Sequence, residues 1–143
     1  ICNHCPYLKA VIARIVRYAQ ELAGHVGGFV VINSNDADAY PADSFEQMAP
    51  FAEENGLTFR YLHDAEQSVA RAYQAACTPD FFGFERDLTL QYRGRLDASR
   101  KETGDPDLRR DLFEAMVEVA RTGRGPQDQI ASIGCSIKWK TAG

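Results

Sequence analysis

Two cysteines at the start of the chain form the motif Cys2-Asn3-His4-Cys5, which runs directly into a long amphipathic segment. Thiols at i and i+3 fall on one face of a helix start, where free backbone N–H groups and the helix dipole favour negative charge. A thiolate there has a lowered pKa and becomes a nucleophile near neutral pH, and His4 can add a donor or a positive charge beside it. The second thiol lies close enough to displace whatever the first has attacked. The motif therefore predicts a dithiol–disulfide redox centre with Cys2 and Cys5 as catalytic residues and His4 as the residue that tunes the pKa.

Other roles for the four cysteines stay open on the sequence. A structural zinc site uses four ligands, whereas the chain has one C-x-x-C pair, and the pair could also be inert buried thiols. Cys77 lies two residues before Pro79 and could be a further active-site thiol or a small core residue. Cys135 lies in an apolar segment near the C-terminus, where it could pack on the domain or serve as a resolving thiol. We predict no metal and no other cofactor.

Length and composition indicate one ordinary globular domain. The chain has 143 residues, is 45% hydrophobic and carries a net charge of −4, which argues against nucleic acid as a partner. Its apolar stretches, such as residues 27–32, are too short to span a bilayer, so we expect no membrane partner and a cytoplasmic location. Because a reactive helix start needs a supporting element, we also expect one or more strands before Ile1.

Hydrophobic spacing predicts the elements that position the motif. A first helix begins near Pro6, and its apolar residues recur at helical spacing: Leu8, Val11, Ile12, Ile15, Ala19 and Leu22. A continuous apolar run at 29–32 predicts a strand covered on both faces. A second helix follows a capping box at Ser44 and Gln47, and a strand covers residues 58–62.

The second half of the chain predicts a helix, a hairpin and a last helix. Asp64 caps a helix that continues to about residue 75, with Val69, Ala72 and Ala76 facing inward. Residues 81–95 read as a β-hairpin. The Asp105-Pro106 pair opens the last helix, which ends at Gly123.

This alternation of helices and strands predicts an α/β fold, with a mixed central sheet flanked by helices. The hairpin supplies the antiparallel edge. Residues 1–124 would form the domain, and residues 125–143 would form a C-terminal tail that packs on it, with Ile137 and Trp139 as anchors.

The motifs and their order resemble the thioredoxin superfamily. Cys2-Asn3-His4-Cys5 opens the first helix, and Thr78-Pro79 stands just before a strand, as the cis-proline of that superfamily does. The extra helix and strand at 44–62, after the first βαβ unit, fall where the peroxiredoxin and cytochrome-maturation branches carry an insertion. More narrowly, four segments look like a peroxiredoxin-like group of AhpC/TSA-related proteins: residues 2–7, 78–82, 92–97 and 134–140.

The resemblance implies a role for each residue of the site. Cys2 would attack and Cys5 would resolve, while Pro79 would be a cis-proline opposite them and Thr78 would offer its backbone to an extended substrate. The first interpretation is therefore a thiol–disulfide oxidoreductase that acts on protein or small-molecule disulfides and is regenerated by a thiol reductant.

Two other interpretations compete with it. A peroxiredoxin-like thiol peroxidase with antioxidant activity would use Cys5 or Cys2. However, Cys2 replaces the family's hydroxyl residue, and neither Thr78, Pro79 nor Asp80 can serve as its arginine. A non-catalytic redox sensor or binding module would use the same groove without turnover. The edge hairpin and the apolar tail could each support a homodimer.

Overall fold

The computed structural model describes residues 1–99 and 107–142. Within them the helices are α1 (Pro6–Leu22), α2 (Phe45–Glu54), α3 (Ser68–Tyr73) and α4 (Asp111–Thr122), with a short 3₁₀ turn at Pro41–Asp43. The strands are β1 (Val30–Asn33), β2 (Arg60–His63), β3 (Cys77–Thr78), β4 (Phe81–Phe84), β5 (Leu90–Gly94) and β6 (Cys135–Ser136). The predicted order of elements is confirmed, with β3 and β6 as additions. None of the helices among these residues combines the length and apolar character needed to cross a membrane.

Helix α1 is the element that carries the motif into the core. Pro6 occupies its first turn, where the missing N–H costs nothing. All six apolar residues predicted for its buried face are buried, and Tyr18 joins them with its hydroxyl donating to Asp97 at 3.0 Å. The core around α1 is completed by residues of β5 and α4, among them Tyr92, Leu112 and Val119.

The strands pair as a mixed α/β architecture requires. β1 and β2 are parallel, with Val31 opposite Tyr61, whereas β4 and β5 form the predicted antiparallel hairpin. β3 and β6 form a second antiparallel pair. The prediction that β1 is covered on both faces is wrong for Val30, which is 52% exposed, because a cavity of about 650 Å³ lies beside this strand.

Three local predictions are corrected by the structure. Ser44 is the N-cap residue of α2 but makes no side-chain capping bond, so no capping box forms. Helix α3 begins at Ser68 and not at Asp64, because Gln67 has a left-handed φ of 61° that no helix residue adopts. The Asp64 carboxylate still accepts the N–H of Ala70, in the first turn, at 3.0 Å. The residue that α3 buries is therefore Ala70, while Ala72 and Ala76 are exposed.

The last helix begins later than its sequence signal suggested. α4 starts at Asp111, and the predicted opening pair Asp105-Pro106 lies outside the described residues. Its end at Gly123 is confirmed, since this glycine caps the helix at a φ of +77°, a left-handed conformation that favours glycine.

Ile15→Ala tests the packing between α1 and the rest of the core. Ile15 is 0% exposed, so truncation leaves a cavity and should lower the free energy of unfolding by about 2–5 kcal/mol in urea denaturation. Ile133→Ala is the matched control, because Ile133 is 52% exposed and its truncation should cost less than about 0.5 kcal/mol. Equal costs for the two variants would contradict this description of the core.

Candidate redox site

The candidate site is built where the start of α1 meets the loop that contains Pro79. Helix α1 has Cys5 as its N-cap residue, whereas Cys2 lies before the bend at Asn3 and His4 that leads into the helix. Of the two cysteines expected on one face of the helix start, only Cys5 therefore belongs to the helix terminus. Both residues are only 1% exposed and belong to the hydrophobic core cluster.

Thr78 contacts both sulfurs of the motif. The Cys2 Sγ lies 3.5 Å from the Thr78 hydroxyl oxygen, and the Cys5 Sγ lies 3.4 Å from the Thr78 carbonyl oxygen. The Thr78–Pro79 peptide bond is cis, as the resemblance implied. Thr78, the residue before this proline, thus lies against both sulfurs.

Cys135, near the C-terminal end of the sequence, also lies at this site. Strand β6 pairs antiparallel with β3, which sets Cys135 opposite Thr78. The Cys135 and Cys5 sulfurs form a disulfide, with Cα atoms 6.4 Å apart across 130 residues of sequence, a separation that a disulfide spans without backbone movement. Cys2 is a free thiol.

The environment of Cys2 changes the expected acidity of its thiol. Burial raises the pKa of Cys2, while hydrogen bonds from the Thr78 hydroxyl and the Cys5 backbone lower it and the nearby Asp43 carboxylate raises it. The net direction is upward, so the lowered pKa predicted from the helix start is wrong. Desolvation of the thiolate outweighs the donors at the helix N-terminus.

Asp43 organises the polar side of the site, and the sequence analysis did not single it out. It is 0% exposed, and its carboxylate accepts the Asn3 backbone N–H at 2.6 Å and the Asn35 side-chain amide at 2.8 Å. His4 Nδ1 lies 2.6 Å from the same carboxylate. The His4 ring, the Asp43 carboxylate and the Cys2 sulfur form one cluster, with their polar atoms within 4.8 Å of one another.

The same three residues are the place where a metal ion could be held. Cys2, His4 and Asp43 offer one thiol, one imidazole and one carboxylate, a mixed set that zinc accepts. The two carboxylate oxygens of Asp43 also accept hydrogen bonds from Asn3 and Asn35, which a carboxylate that binds a metal can do as well. The arrangement is that of an internal polar network around a thiol.

Cys77 lies at the start of β3, and its thiol is not bonded to another cysteine. It is a free, half-buried thiol, and its Sγ lies 3.5 Å from the Pro79 carbonyl oxygen. Burial, together with the Asp80 carboxylate, raises the pKa of Cys77 to about 11. Very little Cys77 thiolate exists near neutral pH.

The alkylation of Cys77 by iodoacetamide, followed by peptide mass mapping, should therefore rise with pH toward a midpoint near 11. In denaturant the midpoint should fall to the ordinary thiol value of about 8.5. Because the folded pKa is the higher one, the unfolded chain loses the proton first, and this thiol should stabilise the fold less as the pH rises between the two values. A midpoint in the folded protein at or below the denatured one would contradict the structure.

The fold and the site together define a thioredoxin-like protein, with a helix that starts at a C-x-x-C motif opposite a cis-proline. The chain belongs to the AhpC/TSA family, whose model matches residues 1–93. Comparison with curated proteins found no match.

Two solved structures are similar to the whole chain. An uncharacterized conserved protein from Geobacillus kaustophilus is 50% identical, with a TM-score of 0.91 over 100% of this chain and 76% of that one. A hypothetical protein from Sinorhizobium meliloti is 41% identical, with a TM-score of 0.91 over 100% of this chain and 78% of that one. The family indicates a thioredoxin-fold redox or peroxidase-type function.

Proposed function

We propose that the protein is a thiol–disulfide oxidoreductase in which Cys2 attacks and Cys5 resolves. The observation that carries the proposal is the position of the two sulfurs, which lie 3.5 Å and 3.4 Å from atoms of the same residue, Thr78. Two thiols beside a cis-proline loop can form a mixed disulfide and then resolve it without a large movement of the backbone.

The chemistry balances as two successive exchanges. The Cys2 thiolate attacks one sulfur of a substrate disulfide, forms a mixed disulfide and expels the other sulfur as a thiolate. The Cys5 thiolate then attacks the Cys2 sulfur, which releases the second substrate thiolate and leaves a Cys2–Cys5 disulfide. Two electrons pass from the protein to the substrate, and a thiol reductant must return them.

Cys135 extends this sequence by one exchange. Its thiolate attacks Cys5 in the Cys2–Cys5 disulfide, forms the Cys5–Cys135 bond and releases Cys2 as a thiolate, with no net change in oxidation state. The product of that step has the same pairing as the structure, in which Cys5 is bonded to Cys135 and Cys2 is free.

The Cys5–Cys135 pair also favours a second candidate, a thiol peroxidase. Here the Cys5 thiolate attacks a hydroperoxide, releases an alcohol or water and becomes a sulfenic acid. The Cys135 thiol condenses with it, which forms the disulfide and a molecule of water. This route uses Cys5 first and does not need Cys2 as a nucleophile.

Trapping experiments separate the two functions. Reduced Cys5→Ser protein treated with hydroxyethyl disulfide should retain a mixed disulfide on Cys2, identified by mass spectrometry. Reduced Cys135→Ser protein treated with hydrogen peroxide and dimedone should show no rapid labelling of Cys5. Dimedone labelling of Cys5 without a mixed disulfide on Cys2 would establish the peroxidase instead. If neither cysteine reacted, the protein would be a non-catalytic redox sensor or binding module.

A further inference from the structure

The edge of β3 beside Pro79 is already occupied by the chain itself. Thr78 pairs with Cys135, and Cys77 pairs with Ser136, in an antiparallel ladder. An extended substrate that used the Thr78 backbone would have to form this same ladder, since a strand edge binds one added strand. The tail strand β6 therefore takes the position of an extended substrate.

The fit between this strand and the Pro79 loop is close. A Cβ atom at Gly134 would lie 2.2 Å from the Thr78 carbonyl oxygen and 3.1 Å from the Pro79 nitrogen. Only glycine allows the backbone to approach so near without displacement. Because the backbone at Gly134 lies so close to Thr78 and Pro79, no second strand fits between the tail and the loop.

The tail is anchored on both sides of Cys135, so it stays in place without relying on the disulfide. Before Cys135, the Ile130 carbonyl accepts the Arg95 N–H at 2.9 Å. After it, Ile137 is buried, and the Lys138 backbone accepts the Asp36 N–H at 2.8 Å and donates to the Asn35 side chain at 2.9 Å.

Between the loop and the tail segment before Cys135, the remaining space suits only a small molecule, whereas the larger cavity beside β1 reaches Thr78 but is not lined by Pro79. A cavity of about 100 Å³ lies between Pro79 and the tail residue Ile133, and Tyr7 also lines it. This is below the range of about 300–1,000 Å³ that holds a drug-sized ligand, and an extended polypeptide requires more.

We infer that β6 acts as a built-in strand that closes the groove, so that the site reacts with small disulfides and excludes extended polypeptides. The inference rests on the proposed oxidoreductase function and specifies its substrate class. Gly134 is then a residue that determines specificity through the position of the tail.

The test compares two disulfides in single-turnover reactions of the reduced chain. One is hydroxyethyl disulfide, and the other is the disulfide-linked dimer of a synthetic peptide with the sequence of residues 130–140. Wild-type protein should react with the small disulfide at least about tenfold faster than with the peptide. Gly134→Ala, which must push β6 away from Thr78, should remove most of this difference by raising the rate with the peptide.

Gly125→Ala is the matched control, because its Cβ would lie 2.0 Å from the Gln91 carbonyl oxygen, a similar backbone clash elsewhere in the tail. It should leave the ratio of the two rates unchanged. Equal wild-type rates with the two disulfides, or an equal effect of the two glycine substitutions, would overturn the inference.

A binding measurement keeps the inference separate from the proposed function. If wild-type protein reacts with neither disulfide, the oxidoreductase function fails, but the groove can still be tested with a labelled peptide of residues 130–140 carrying serine in place of cysteine. Fluorescence anisotropy should show binding to Gly134→Ala protein and none to wild type or Gly125→Ala protein. Equal binding to wild type would show that β6 does not close the groove.

Discussion

Serine in place of Cys2 is expected to lower the rate constant for reaction of the reduced protein with hydroxyethyl disulfide by about 1,000-fold or more, as removal of a nucleophile does. The thiolate is the attacking species, and a serine hydroxyl does not ionise near neutral pH. Stopped-flow measurement of the released thiol would give the rate constant. Since burial raises the pKa of Cys2, the wild-type rate should keep rising with pH above the ordinary thiol value of about 8.5.

Cys77→Ser is the matched control for this loss. Cys77 is also a free thiol, but its pKa of about 11 leaves it protonated in the same pH range. Its replacement should leave the rate constant within about threefold of wild type. A Cys2→Ser protein that kept its rate, together with a Cys5→Ser protein that lost it, would make Cys5 the first nucleophile.

Alanine in place of Asp43 is expected to lower the free energy of unfolding by about 3–5 kcal/mol, the cost of removing one partner from a buried charged network. Asp43 is 0% exposed, and its loss leaves the Asn3 N–H and the Asn35 amide without their acceptor in the interior. Urea denaturation monitored by circular dichroism would measure the change. Asp38→Ala, at an exposed position of the same loop, should change stability by less than about 0.5 kcal/mol.

The milder change Asp43→Asn has a second readout at Cys2. Burial is the main cause of the raised pKa, but the Asp43 charge adds to it, so neutralising this carboxylate should lower the pKa of Cys2. The pH dependence of Cys2 alkylation would show a lower midpoint, with Asp38→Asn as the control. An unchanged midpoint would contradict an effect of the Asp43 charge on the pKa of Cys2.

The helices around the candidate site were predicted from short-range patterns. Pro6 and the apolar spacing of α1 predicted the helix that follows the C-x-x-C motif, and Gly123 predicted the end of α4. Each of these signals depends only on residues a few positions apart, so it can be seen in the sequence itself. Thr78-Pro79 was placed by resemblance, and its cis bond agrees with that placement.

The disulfide partner of Cys5 and the acidity of Cys2 were decided by the tertiary structure alone. Cys135 is 130 residues away from Cys5, and only the pairing of β6 with β3 brings the two sulfurs together. No sequence motif marks Asp43, yet this fully buried carboxylate accepts hydrogen bonds from Asn3 and Asn35 and lies 2.6 Å from His4 Nδ1. The sequence by itself determined which residues could do redox chemistry, because residue type and local spacing set the available nucleophiles. Their pairing and pKa values depend on long-range packing and desolvation, which no local pattern contains.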